Sequence, residues 1–212
     1  MALRDHSLDN KIMSAAMQEF MDKGYTGASL RKIAERAGVT VGAIQIRYKS
    51  KDERFTSLLK PLLNEIEVLF QSTKADYYTC TSASLMESLK GSMRRESDAI
   101  LHLIFAHYKE AVLLLCRSAG SSPEHFFDGI VQSKIEESAA FFHNAGFADI
   151  DETLLGLLIA VQFDSYRRIV TDRPDRAAAE KYMDALMVYH FGGWTAFFDS
   201  ANQLQELIPD EV

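Results

Sequence analysis

Two cysteines, four prolines and one tryptophan are all that this chain of 212 residues holds of those types. Cys80 and Cys116 form no C-x-x-C pair, which argues against a disulfide framework or a zinc site and leaves both as reduced thiols. So few prolines interrupt little helix, and no segment alternates apolar and polar residues between hairpin turns, so an all-α chain is expected. No stretch approaches the roughly 18 uncharged apolar residues of a membrane span, and the leading MALRDHSLDNK has no apolar core of a signal peptide. A cytoplasmic location is therefore expected. Catalytic signatures are missing too: there is no G-x-S-x-G, Walker A loop, H-E-x-x-H or dinucleotide fingerprint, and the carboxylates are scattered. His102 and His107 stand five apart, which is neither helical spacing for a metal pair. The expectation is a protein that is not an enzyme and carries no metal or cofactor.

What is present is hydrophobic content of 47% and an uneven distribution of charge. Residues 1–60 carry 11 Lys+Arg against 7 Asp+Glu, a net of +4, so the other 152 residues hold −11 of the total of −7. Phosphate attraction acts over about 10 Å at ordinary ionic strength, so a local basic face can serve nucleic acid inside an acidic chain.

The basic segment also has a specific layout. In SLRKIAERAGVTVGAIQIRYKSK, Ser29 to Lys51, Ser29 is placed to cap a helix whose Leu30, Ile33, Ala34 and Ala37 share one face. Gly38 stops that helix in a left-handed turn, and Thr40 caps the next after a three-residue connection. The second helix of the pair, Thr40 to about Tyr48, buries Val41 or Ile44 together with Tyr48. It leaves Ala43, Gln45, Ile46 and Arg47 outward for a major groove. Upstream, Ile12, Met13, Ala16, Met17 and Phe20 stripe a first helix that ends at Lys23-Gly24. Downstream, Ser50 can cap a fourth whose first turn is Lys51-Asp52-Glu53.

The run FMDKGYTGASLRKIAERAGVTVGAIQIRYKSKDERF, Phe20 to Phe55, resembles the DNA-binding domain of the TetR family of transcriptional regulators. The resemblance rests on F-x-x-x-G-Y after the first helix, I-A-x-x-A-G-V-[ST] at the turn, x-G opening the third helix and K-x-K-[DE]-E beyond it. This chain departs from the pattern at Gln45, where an aromatic is usual, and at Arg54, where leucine is. The resemblance implies a palindromic DNA operator as partner, read by a homodimer. The DNA-contacting candidates are Ser29 and Arg31; Thr40, Val41, Gly42, Ala43, Gln45, Ile46 and Arg47 on the recognition helix; and Lys49 and Lys51 after it. It also implies a small-molecule effector and, by the family's habit, repression. The contrasting possibility is an all-α interaction protein whose helix-turn-helix no longer binds DNA specifically.

Domain boundaries follow: 1–49 for the helix-turn-helix domain, 50–72 for a connecting helix containing Pro61, and 73–212 for an effector-binding and dimerisation domain. The polar stretch 71–84 reads as a loop, a helix break is expected near Gly91 or His107, and Pro123 is placed at the first position of a helix capped by Ser122. The two terminal helices are apolar nearly all round, so a partner is expected to cover them. Leu154, Leu158, Val161, Met187, Phe191, Trp194, Phe197 and Phe198 are the candidate dimer contacts. For the effector, the aromatic middle helices offer Phe105, Tyr108, Phe127, Phe141, Phe163 and Tyr166, with His102, Asp164 and Arg167 as polar anchors. Asp164 and Arg167, an i, i+3 pair, either pair with each other or line the cavity.

Overall fold

The computed structural model describes residues 6–77, 85–144, 151–172 and 175–207, and among these it contains nine helices and no strand. They are α1 (His6–Gly27), α2 (Leu30–Ala37), α3 (Val41–Arg47), α4 (Lys51–Tyr77), α5 (Leu85–Ala106), α6 (Tyr108–Cys116), α7 (Phe126–Asn144), α8 (Glu152–Asp172) and α9 (Arg176–Leu207). Among the described residues no single helix is long and apolar enough to cross a membrane. Cys116 is exposed and not disulfide-bonded, and Cys80 lies outside the described residues.

The helices form two compact units: residues 1–66 with 106–127, and residues 67–105 with 128–212. The first unit is therefore not a continuous stretch of sequence. Its core gathers Ile12, Ala16 and Phe20 of α1, Ile33 and Ala34 of α2, Ile44 of α3 and Phe55, Leu59 and Leu62 of α4, all buried. Phe20, Tyr25 and Phe55 pack edge to face or stacked, with ring centroids 4.9 to 6.2 Å apart. Such contacts add to apolar burial because ring edges and faces carry opposite partial charge.

Local chemistry sets the helix ends. Gly38 takes the left-handed conformation (φ 67°) and Val39 N donates to Ala34 O at 3.0 Å, closing the turn between α2 and α3. Thr40 Oγ1 accepts from Ala43 N at 3.1 Å, satisfying a first-turn donor of α3. Ser50 Oγ accepts from Glu53 N, while Glu53 Oε2 accepts from Lys49 N, so α4 opens with both groups engaged. Ser29 departs from expectation: it sits at the N-cap of α2 in extended conformation, but its side chain makes no capping bond. Its backbone N donates instead to the buried Glu19 at 3.2 Å. Arg54, where a leucine was the usual residue, is buried with Nε and Nη1 unbonded, and burial lowers its pKa.

A short stretch after α6 completes the first unit. Arg117 O accepts from Tyr25 N at 2.8 Å, Asp52 Oδ1 accepts from Ser122 N at 2.8 Å, and the Thr56 and Ser122 hydroxyls lie 3.3 Å apart. Burial pushes the Asp52 carboxyl up, but the Ser122 and Tyr25 bonds outweigh it and leave the pKa lowered. These tertiary bonds explain why Pro123 does not begin a helix: residues 119–125 are held as a turn, and α7 starts only at Phe126.

Helix α4 runs through Pro61 to Tyr77, so 71–77 is helix rather than the expected loop, and 78–84 lie outside the described residues. The break expected near Gly91 or His107 falls at His107, between α5 and α6. In the second unit, Asp151 Oδ1 accepts from Thr153 N and Leu154 N, and Asp175 Oδ1 accepts from Ala178 N, capping α8 and α9. Leu155, Ile159, Phe163, Tyr166 and Ile169 of α8 and Met183, Met187 and Trp194 of α9 fill its core.

Candidate nucleic-acid interface

Helix α3 buries only Ile44 completely and turns the rest of its surface outward or sideways. Gly42 and Gln45 are exposed and Ile46 is 87% exposed, an unusual position for a large apolar side chain. Val41 and Ala43 are half-buried, and Thr40 is exposed with its hydroxyl engaged in the cap. Arg31 and Lys49 are exposed, while Ser29 is half-buried.

Two of the expected contact residues are not presented as the sequence implied. Arg47 was expected outward with Gln45 and Ile46. It folds back onto α1, where its Nε lies 2.7 Å from Asp9 Oδ1, and its Nη1 donates to Ala43 O at 3.3 Å. The paired side chains keep only 19% and 14% exposure. Lys51 is also engaged: its Nζ donates to Thr26 O at 3.2 Å and stands 4.5 Å from the centre of the Tyr25 ring. Asp9 is the residue that sequence reasoning missed, since a partner 38 positions away leaves no periodic signal. On α2, Arg36 is held by Asp22 at 2.9 Å and by Glu19 at 3.4 Å.

The second unit holds a small cavity of about 40 Å³, lined among others by Met93, Glu96, Lys134, Phe142, Gln162, Phe163 and Trp194. Lys134 Nζ lies 2.5 Å from Glu96 Oε2, with both side chains nearly buried. Of the nine effector-site candidates, only Phe163 lines this cavity. Tyr166 is buried in the core, where burial raises its phenol pKa. His102 is exposed, and Phe105, Tyr108, Phe127 and Phe141 are half-buried. Asp164 and Arg167 lie at the surface, 3.7 Å apart, so the pairing alternative describes them. The ionic pair at the cavity is Glu96 with Lys134, two residues 38 apart that no motif links.

The dimer candidates divide. Met187 and Trp194 are buried inside their own unit and so face away from any partner, while Leu158 and Phe191 are half-buried. The side chains of Phe197 and Phe198 lie outside the described residues. Leu154 and Val161 are exposed, and with Leu157, 60% exposed, they form an i, i+3, i+7 stripe along α8. Val188 and Tyr189 of α9 are more exposed still. The full apolar girdle therefore splits into an inward face and an unpartnered outward one.

A model of a family described as bacterial regulatory proteins, tetR family, matches residues 12–57. Solved structures match nearly the whole chain. A TetR-family transcriptional regulator from Streptomyces coelicolor superposes with a TM-score of 0.58 at 20% identity, covering 86% of this chain and 90% of its own. NalD of Pseudomonas aeruginosa, the secondary repressor of the MexAB-OprM multidrug efflux pump, reaches 0.58 at 17% identity over 87% and 95%. The regulator FadR of Bacillus subtilis, in complex with stearoyl-CoA, gives 0.53 at 16% identity over 84% and 97%.

Proposed function

Because the chain belongs, through its DNA-binding domain, to the tetR family of bacterial regulatory proteins, we propose that it is a cytoplasmic homodimeric repressor that binds a palindromic operator and releases it on binding a small molecule. The observation that carries this reading is the pair α2–α3. A turn closed at Gly38 and a cap at Thr40 set α3 as a recognition helix whose Gly42, Gln45 and Ile46 stand clear of the protein. Exposed Ile46 suits the C5-methyl of thymine, and Gln45 suits adenine, so an A·T-containing half-site is expected.

One seven-residue helix contacts few base pairs, and two related by a two-fold axis double the reading. The outward stripe Leu154, Leu157 and Val161 with Val188 and Tyr189 supports a second copy as its cover. For the effector, the Glu96–Lys134 pair offers polar recognition, with Ser138 and Gln162, in a cavity whose other lining residues are apolar. At about 10–15 Å³ per water, the cavity has room for roughly three waters, so an effector has to widen it. That requirement is what links binding to a change of state: a ligand shifts an equilibrium only by its differential affinity for the two forms.

A second reading, an all-α interaction protein with a degenerate helix-turn-helix, is favoured by one observation, the withdrawal of Arg47 onto Asp9. Fluorescence titration of the protein against duplexes from the promoter region of its own gene separates the two. Saturable binding with a two-fold symmetric footprint is expected; affinity no better than for random duplex would remove the repressor reading.

A further inference from the structure

We propose that the cavity of the second unit takes an organic cation, an alkylated amine protonated at nitrogen and carried on a small apolar or aromatic body, which replaces the Lys134 ammonium on Glu96. The inference rests on the ligand-responsive reading above and names the class of effector. Of the described residues that line the cavity, Glu96 and Lys134 alone carry charge, and Ser138 and Gln162 supply the rest of the polar lining. The two charged partners are unequal. The Glu96 side chain keeps 3% exposure and that of Lys134 13%, and Lys134 extends from a half-buried position of α7 next to exposed Ser133. A lysine ammonium on its flexible four-carbon stem can turn toward water, whereas the short carboxylate of Glu96 stays where α5 puts it. Lys134 Nζ also stands 5.7 Å from the centre of the Phe70 ring, a contact that does not depend on Glu96.

That inequality selects the charge of the ligand. An anion drawn to Lys134 would place a second negative charge beside a carboxylate that is almost completely buried, where a low local dielectric makes the repulsion costly. A neutral ligand would have to widen the cavity and would gain no ionic partner. A cation exchanges one positive charge for another at Glu96, so the buried carboxylate keeps a counter-charge throughout. It also releases Lys134, whose withdrawal supplies part of the room that a ligand needs in a space of about 40 Å³. An alkylated amine suits the exchange better than a primary one. Its methyl groups weaken its hydration, so less is lost on entry, and its one N–H suffices for a charge-assisted bond to Glu96. Phe142, Phe163 and Trp194 line the cavity, with the Phe142 and Trp194 ring centroids 6.4 Å apart and the rings stacked. Aromatic faces attract alkylated ammonium groups through the negative charge of the ring face.

Trp194 is the single tryptophan of the chain and lines the cavity, so its emission reports binding without a label. The full-length protein is titrated at neutral pH with three probes of similar size: N,N-dimethylphenethylamine, which is protonated at that pH, 2-phenylethanol and 3-phenylpropanoate. The amine is expected to change the emission saturably at concentrations about tenfold below those the alcohol needs, with the anion weaker than either. Lys134→Met removes the competing ammonium, so the amine should bind this variant about tenfold more tightly than the parent and raise its melting temperature further. Glu96→Gln combined with Lys134→Met leaves a neutral pair, to which amine and alcohol should bind alike. Preference for the anion overturns the proposal, as does equal affinity for the three probes or no saturable change up to about 10 mM amine. So does an amine that binds Lys134→Met no more tightly than the parent, or a preference for the amine that survives in the double variant. If Lys134→Met alone fails to fold, the double variant decides by that last criterion. An amine that binds as expected yet leaves affinity for the promoter duplexes unchanged keeps the site and removes the ligand-responsive reading, a result distinct from all of these.

Discussion

Among the described residues each unit buries one glutamate almost completely, and the two are used differently. Glu19, 3% exposed, accepts a hydrogen bond from the Ser29 backbone and faces Arg36, so its carboxylate fixes the passage from α1 to α2. Glu96, 2% exposed, is paired with the Lys134 side chain and lines the cavity. A buried charge bonded to backbone is a construction element, because the backbone cannot move without losing the fold. A buried charge bonded to one side chain beside a cavity can exchange that partner. Burial alone does not separate structural from functional charge; the identity of the partner does.

The largest expected effect breaks the comparison on the cavity side. Lys134→Met strands the Glu96 carboxylate, and a fall in stability of about 3 kcal/mol is expected in urea unfolding at neutral pH. Combining it with Glu96→Gln should recover most of that loss, since a neutral pair needs no counter-charge; a double variant as unstable as the single would show the carboxylate to be solvated. On the other side, Glu19→Ala removes the acceptor for Ser29 N, and about 2 kcal/mol is expected. Here no second substitution at Arg36 should rescue, because the orphaned donor is backbone. Gly38→Ala tests the adjacent turn: at φ 67° a β-carbon costs about 1 kcal/mol, read as a lower melting temperature.

The smallest effect concerns His190, buried in the second unit with Nε2 unbonded and its pKa lowered by burial. Its folded form resists protonation more than its unfolded form does. The two states therefore differ little above the ordinary histidine pKa of about 6.5, and stability drains away as pH falls below it, by at most about 1.4 kcal/mol per pH unit. His190→Gln should flatten the pH dependence of the melting temperature between pH 7 and 5.5; an unchanged profile would place that drain elsewhere.

The first unit was largely legible because its signals are short-range. Gly38, Thr40 and Ser50 act on donors or turns within four residues of themselves, which is what local sequence can encode. Reading failed wherever a distant partner outbid the local rule. Ser29 loses its capping role where Glu19 takes its backbone N–H, and Ser122-Pro123 opens no helix because Asp52 and Thr56 hold the turn. Asp9 and Arg47, like Glu96 and Lys134, meet across 38 positions of chain, a separation with no periodicity to detect. The aromatic residues of the middle helices were a poor guide to the cavity, since a phenylalanine that lines a cavity and one that does not read alike in sequence.

The stretch after α6 has a consequence for how such a protein can be taken apart. Its Arg117 carbonyl and Ser122 N–H complete bonds begun by Tyr25 and Asp52, and Gly120 (φ 85°) lies where a β-carbon would come within 3.0 Å of Thr26. A reader module excised at residue 66 would carry open valences on α1 and α4. Grafting this specificity onto another regulator therefore means transplanting two separated segments together, 1–66 and 106–127, as one interlocking part.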